Sequence, residues 1–172
     1  YIMFDMTNQC NAKCIHCPHS MGFNDSQSSQ FMSIDSYKEI IDQCVGQNLD
    51  FVRITADGEP LLHPAIWELL DYARDKRVGP IGLTTNGSAL NATNATKLID
   101  SKIFLVDFSL DAFSEKTFEV VRAGLSYKRT LENVLRLIEL RDRAESDLKI
   151  MVSFVKQREN VQELDAFINF WE

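Results

Sequence analysis

No apolar run in these 172 residues approaches the roughly 20 needed to cross a bilayer. The opening Tyr1-Ile2-Met3-Phe4-Asp5 also lacks the basic start and long apolar middle of a secretory signal. A soluble, cytoplasmic domain with no membrane partner is therefore expected. Cations are scarce as well: 18 Lys and Arg stand against 25 Asp and Glu, a net charge of −7. That balance disfavours nucleic acid, whose backbone needs cations clustered on one face. A disulfide framework is missing too. Three of the four cysteines, Cys10, Cys14 and Cys17, crowd into one short stretch and Cys44 stands alone, whereas a secreted scaffold spreads paired cysteines over its length. With 45% hydrophobic and 25% charged residues, the chain can bury one core of ordinary size, so residues 1–172 read as one domain. A first residue of Tyr rather than Met suggests a piece of a longer protein.

Short β-rich runs alternate with helical patterns five times. The strand candidates are Ile2-Thr7, Phe51-Thr55, Pro80-Thr85, Ile103-Leu110 and Lys149-Val155. Ile103-Phe104-Leu105-Val106 reads as apolar on both faces, the mark of strands in parallel sheets. Ser33 caps a helix striped by Tyr37, Ile40, Ile41 and Cys44. Pro64 suits the first turn of the next, with Ile66, Leu69, Leu70 and Ala73 on one side. Further helices are expected over Thr93-Asp100, from Ser114 to Arg122, and along Leu131, Val134, Leu135 and Ile138. Asn160 with Glu163 reads as a cap pair for a last helix carrying Leu164, Phe167, Ile168 and Trp171. Residues 24–30 read as a polar mobile loop within the first βα connection. The order (βα)×5 gives an α/β fold with a parallel sheet and right-handed crossovers, open or curled into part of a barrel.

Either architecture places working residues after the C-terminal ends of strands. There stand Cys10-Asn-Ala-Lys-Cys14-Ile-His-Cys17, then Asp57-Gly58-Glu59-Pro60, then Asn86-Gly87, with Ser109 and Asp111 ending strand four and Ser153 in strand five. Three thiolates are one fewer than a closed zinc or iron–sulfur site requires. His16, His19 or His63 could complete a zinc site. All three cysteines lie in one loop with no second knuckle, which favours an iron–sulfur cluster with one open iron. The bland alternatives are plain: Cys44 packs on its helix face, His63 starts a helix, and the stripes at 131–138 and 164–171 are core.

Cys10-x3-Cys14-x2-Cys17 in the first βα loop resembles the signature of the radical S-adenosylmethionine (SAM) superfamily. Thr55-Ala-Asp-Gly-Glu-Pro-Leu-Leu-His-Pro64 resembles that family's glycine-glycine-glutamate loop. Leu83-Thr-Thr-Asn-Gly87, Asp107-Phe-Ser-Leu-Asp111 and Val121-Arg-Ala-Gly124 match in order and strand position. Cys17-Pro18-His19 and Ser109-Leu-Asp111 look most like the branch with SPASM or twitch extensions. The resemblance implies a partial (β/α)6 TIM-type barrel, with about five βα units in residues 1–172 and a sixth unit and any auxiliary cluster outside them. It implies a [4Fe-4S] cluster on Cys10, Cys14 and Cys17 that cleaves SAM to methionine and a 5'-deoxyadenosyl radical. That radical would abstract hydrogen from a peptide, a sugar or alcohol, or a small metabolite, with a flavodoxin or ferredoxin as electron donor. Asp57, Gly58 and Glu59 would face the SAM ammonium, and Arg122 its carboxylate. Ser109 and Asp111 would meet the ribose or methionyl end, and Asn86 and Ser153 would support cofactor or substrate. The sequence departs from the family at Asp57, where the first loop glycine stands, and at His16, where an aromatic commonly covers the adenine. A zinc-stabilised α/β binding module is the alternative of another class, and a cluster with a purely redox or structural role is a second.

Overall fold

A computed structural model describes residues 1–21 and 30–172. Five strands, β1 (Ile2–Asp5), β2 (Val52–Thr55), β3 (Ile81–Thr85), β4 (Leu105–Ser109) and β5 (Lys149–Ser153), form one sheet in the order β1-β2-β3-β4-β5. Every neighbouring pair is parallel, with Phe4 opposite Ile54, Ile54 opposite Leu83, Thr84 opposite Asp107, and Ser109 opposite Ser153. Among the described residues six α-helices connect or follow them: α1 (Ile34–Cys44), α2 (Ile66–Asp75), α3 (Ala92–Asp100), α4 (Glu115–Val121), α5 (Tyr127–Arg143) and α6 (Leu164–Trp171). This is the α/β architecture of a partial TIM-type barrel with five βα units. No helix among the described residues is long and apolar enough to cross a membrane. Of the expected polar loop, residues 24–29 lie outside the described residues.

The sheet's helix-covered face carries the core. Phe4, Val52, Ile54, Ile81, Leu83, Val106 and Phe108 alternate along the strands and are all buried. Ile66, Leu69, Leu70 and Ala73 of α2 bury the stripe that the sequence predicts. Truncating a fully buried leucine such as Leu69 to Ala would cost about 2–5 kcal/mol. Ser33 caps α1 by accepting the Ser36 N–H, and Ser114 caps α4 through Thr117 N–H.

Four expectations are corrected here. Strand β4 is not apolar on both faces: it starts at Leu105, Phe104 before it is half exposed, and Asp107 and Ser109 occupy the face away from the helices. Because that face lines the open mouth of the barrel, it tolerates polar side chains. On α5 the buried set is Thr130, Asn133, Val134 and Leu137, and Leu135 is exposed. Asn133 earns its core position by donating to the Gly87 carbonyl at 2.9 Å. Lastly, Asn160 and Glu163 do not cap α6. Asn160 is fully buried and ties the Asp111 and Val155 carbonyls together, while Glu163 reaches the start of α4. Ile168, expected in the core, is likewise exposed on α6.

Candidate active site

The cysteine loop leaves β1 and is stitched to its neighbours through backbone. Lys13 N–H donates to Ala123 O at 2.6 Å and Ile15 N–H to Val121 O at 3.2 Å, fixing the loop to the end of α4. On the other side Gly58 N–H donates to Thr7 O and Glu59 N–H to Gln9 O, extending the β1–β2 pairing past the strand ends. That approach is why residue 58 is glycine: a Cβ there would sit 1.9 Å from the Gln9 carbonyl oxygen. Asp57, at the position of the resembled family's first glycine, has no left-handed backbone among the described outliers, so the substitution stores no strain. Its side chain is exposed at the rim, and its N–H is accepted by Asp5 Oδ1 at 2.9 Å. Burial and the Asp57 charge push the Asp5 carboxyl up against the pull of that bond.

A cleft of about 260 Å³ opens at this rim, lined among others by Cys10, Cys14, Cys17, His16, Gly58, Glu59, Asn86, Ser109 and Arg122. Sequence reasoning thus brings most of its candidates into one place. Among the described residues no three His, Cys, Asp or Glu side chains converge tightly enough for a single metal ion. The thiols face a common space rather than a point, which suits a group wide enough to offer each sulfur its own iron, whereas zinc needs four ligands at about 2.3 Å or less from one centre. Of the three histidines named for zinc, His16 lines the cleft with the cysteines, while His63 and His19 are engaged elsewhere. His63 is buried, its Nδ1 accepts the Ala65 N–H, and its Nε2 faces Met32 O at 2.9 Å. His19 Nε2 lies 2.7 Å from Asn8 O.

The electrostatics centre on Arg122, the C-cap of α4. It is buried, with Nη1 donating to Cys14 Sγ at 3.3 Å and Nη2 lying 2.5 Å from Asp111 Oδ2, while Nε has no protein partner. Burial pushes the Cys14 thiol up, and the guanidinium pulls it back toward the thiolate. Burial also raises Cys10, whose sulfur accepts the Ala12 N–H. Arg122 therefore spends its fork inside the protein, rather than presenting it whole to a ligand carboxylate. Glu59 is similarly committed. Its Oε1 accepts Leu61 N–H and the Thr85 hydroxyl at 2.6 Å, and its Oε2 accepts Asn86 N–H at 2.7 Å. Burial raises its pKa against these three donors. Asn86 carries the clamp onward by donating to Asn11 Oδ1 in the cysteine loop.

Asp111 and Ser153 lie behind the cleft rather than in its lining. Asp111 is fully buried in left-handed backbone (φ 60°) and accepts Val155 N–H at 2.6 Å. Ser153 donates to Asp107 Oδ1 at 2.6 Å. His16 lines the cleft beside Gln157, whose Nε2 is 3.1 Å from its Nδ1. Burial and the Arg122 charge lower its pKa, against the pull of Asp111. Sequence reading missed Thr55 and Thr84 in the lining and the Arg53–Asp107 pair beneath them. Their signal was present: Arg53 stands between Val52 and Ile54, and Asp107 between Val106 and Phe108, all four neighbours fully buried.

The Radical SAM superfamily profile matches residues 4–170. Mycofactocin maturase MftC of Mycolicibacterium smegmatis is 34% identical over 169 residues, 96% of this chain and 40% of that protein. GTP 3',8-cyclase of Synechocystis sp. is 33% identical over 171 residues, 97% of this chain and 50% of that protein. The chain thus spans half or less of the length of these relatives. Among solved structures, Streptococcus suis SuiB bound to its precursor peptide SuiA superposes with a TM-score of 0.73 at 19% identity, covering 96% of this chain and 36% of that one, which speaks for the fold.

Proposed function

Because this chain belongs to the radical SAM superfamily, we propose that residues 1–172 are its core domain, short of a sixth βα unit, and that Cys10, Cys14 and Cys17 hold a [4Fe-4S] cluster with one iron left for SAM. When bound, that pair supplies one-electron cleavage of the sulfonium to methionine and a 5'-deoxyadenosyl radical that takes hydrogen from substrate. The observation that carries this reading is the sharing of one cleft by three thiols and a buried guanidinium bonded to one of them. Arg122 donates to the Cys14 sulfur and sets positive charge beneath the methionyl end. The 57–59 loop receives the SAM ammonium through its carbonyls and the Asp57 carboxylate, while Glu59 locks that loop to Asn86. His16, with its flat imidazole, covers the adenine, and Ser109 meets the ribose from the cleft wall. Asp111 and Ser153 are positioning residues: the first pairs with Arg122, the second orients Asp107. SuiB is named with a bound precursor peptide, and a peptide is the substrate class proposed here, with a flavodoxin or ferredoxin as electron donor.

Anaerobic reconstitution with iron and sulfide tests the reading. A brown, oxygen-sensitive cluster and 5'-deoxyadenosine released from SAM under reduction are expected. One zinc per chain without iron uptake, or a cluster that never yields 5'-deoxyadenosine, would overturn it.

A further inference from the structure

Cys10 is gripped on both sides. Before it, Glu59 N–H donates to Gln9 O at 2.6 Å. After it, Asn11 turns its side chain toward the loop that follows β3, where three side chains close a ring. Asn11 Nδ2 donates to Ser88 Oγ at 2.7 Å, Ser88 Oγ donates to Asn86 Oδ1 at 2.7 Å, and Asn86 Nδ2 donates back to Asn11 Oδ1 at 3.0 Å. Each member gives one bond to the ring and takes one, so the donors run one way round. Ser88 N–H also donates to Asn86 Oδ1 at 2.9 Å. A backbone amide cannot turn over, so this bond decides which end of the Asn86 amide is oxygen, and Asn86 in turn decides the Asn11 amide.

The β3 side of the ring is anchored to the core. Asn86 N–H donates to Glu59 Oε2, and Gly87 N–H to Thr85 Oγ1 at 3.0 Å. From α5, Asn133 Nδ2 reaches Gly87 O at 2.9 Å and Ser88 O at 3.4 Å, and Arg136 Nη1 donates to Asn133 Oδ1 at 2.9 Å. Gly87, at φ 75°, lets the turn close on Phe108, whose side chain would lie 3.0 Å from a Cβ there. The cysteine side depends on the ring. Backbone bonds tie the cysteine loop to the 57–59 loop and to the end of α4, but among the described residues none ties residues 10–17 to residues 84–90. Asn11 spans that gap by side chain alone. It is exposed whereas Asn86 is buried, so water takes over both Asn11 bonds when the side chain is truncated and folding stability changes little. What truncation removes is the fixed place of the residue beside Cys10.

We propose that Asn11, Ser88 and Asn86 are positioning residues for the first cysteine: their ring holds the Cys10 sulfur at its place in the cleft before any iron binds, and holds it apart from the other two thiols. The proposal rests on the reading that Cys10 is a cluster ligand. Cys14 is placed differently, by the Arg122 bond and by the Lys13 and Ile15 backbone bonds on either side of it. The three thiols are thus set by separate devices, and the ring serves one of them. Pre-set ligands lose less freedom when the group they hold arrives, so a loosened Cys10 gives up iron sooner without any change in the thiols themselves. Asn86 acts through Asn11 in this arrangement.

The four cysteines report on this by their own rates of alkylation with iodoacetamide in the intact, reduced, iron-free chain. Tryptic cleavage after Lys13 separates Cys10 from Cys14 and Cys17 for mass spectrometry. Cys17, at the far end of the loop, reads general loosening of the loop, and Cys44, buried on α1, reads unfolding. Asn11→Ala and Ser88→Ala are each expected to speed Cys10 by about 5- to 10-fold, the equivalent of one net hydrogen bond in a local opening. Cys17 and Cys44 are expected to keep their wild-type rates, and Ser88→Thr, which keeps the hydroxyl, to restore that of Cys10. After reconstitution, loss of iron to EDTA is expected to be faster by a similar factor in both Ala variants at unchanged Tm. An unchanged Cys10 rate, a rise shared by Cys17 and Cys44, or iron loss at the wild-type rate overturns the proposal. The alkylation needs neither iron nor SAM, so a wild-type chain that assembles no cluster refutes the cofactor reading while the Cys10 rates still decide whether the ring holds that thiol.

Discussion

Glu163 holds the start of α4 from the far end of the chain, and removing it tests how that helix delivers Arg122 to the cleft. Its Oε2 accepts the amides of Phe113 and Ser114 at 2.9 and 3.0 Å, and its Oε1 accepts the hydroxyls of Ser114 and Thr117, both at 2.5 Å. Loss of an N-cap costs about 1 kcal/mol and loss of the favourable charge at a helix start about 0.3–1 kcal/mol. Glu163 is half-buried, so water replaces part of what is lost, and about 2 kcal/mol is the expected cost of Glu163→Ala. For a domain of this size that lowers Tm by about 4–8 °C. Glu163→Gln keeps one carbonyl oxygen for the two amides and loses only the charge, about 0.3–1 kcal/mol. Burial alone would raise the Glu163 pKa, but the bonds from Ser114, Thr117 and Phe113 outweigh it and hold the carboxyl below its ordinary 4.5. With a lowered folded pKa, the stabilisation is complete above 4.5 and drains away as pH falls through the folded value. The gap between wild type and Glu163→Gln therefore closes in acid. Thermal unfolding followed by far-ultraviolet circular dichroism across that pH range measures it. A Tm loss under about 2 °C for the Ala variant, or a Gln gap that ignores pH, would refute the reasoning.

Replacing Cys10, Cys14 or Cys17 with Ala is expected to abolish the iron–sulfur absorbance after reconstitution, while Cys44→Ala, on the buried face of α1, retains it. Arg122→Ala should lower both cluster content and SAM affinity, because its guanidinium is bonded to Cys14; full cluster occupancy, read as iron per chain, would separate Arg122 from the thiolate. Glu59→Gln breaks the clamp from Glu59 Oε2 to Asn86 N–H and is expected to weaken SAM binding through the 57–59 loop by up to about 10-fold, the equivalent of about 1.4 kcal/mol, and calorimetry showing unchanged affinity would take the 57–59 loop out of the SAM site. Gly58→Ala must break the Gly58–Thr7 and Glu59–Gln9 backbone bonds, and a midpoint in urea unchanged from wild type would show that the loop has room to move.

Local patterning made the architecture legible. Five strand runs separated by capped amphipathic stripes determine the element order, and Ser33 and Ser114 cap the helices that they precede. Strand ends in a parallel sheet share one rim, so the sequence alone brings the cysteines, the 57–59 loop and Asn86 together. What stayed hidden depends on which partner a polar group selects. Asn160 and Glu163 have cap spacing, yet Asn160 meets two carbonyls in the loop around Asp111, and Glu163 meets four stronger donors across the chain. Arg122 and Glu59 sit where motif reading puts them, but their bonds inside the protein follow from tertiary packing that spacing does not encode. The charged residues inside β2 and β4 carried a signal in their apolar neighbours that strand alternation alone could have read.

The backbone stitching of the cysteine loop has a consequence for what can change there. Lys13 and Ile15 are held through their N–H groups, and both side chains point outward into exposed positions. Chemistry at those two positions is free to drift, to acidic, basic or apolar, without loosening the thiols. Residue number is not free. One inserted or deleted residue between Cys10 and Cys17 would shift the pairing with Val121 and Ala123 and turn a cysteine away from the cleft. The motif is therefore a ruler more than a vocabulary: it constrains the count between sulfurs and leaves the letters at 13 and 15 to whatever partner touches the outer surface.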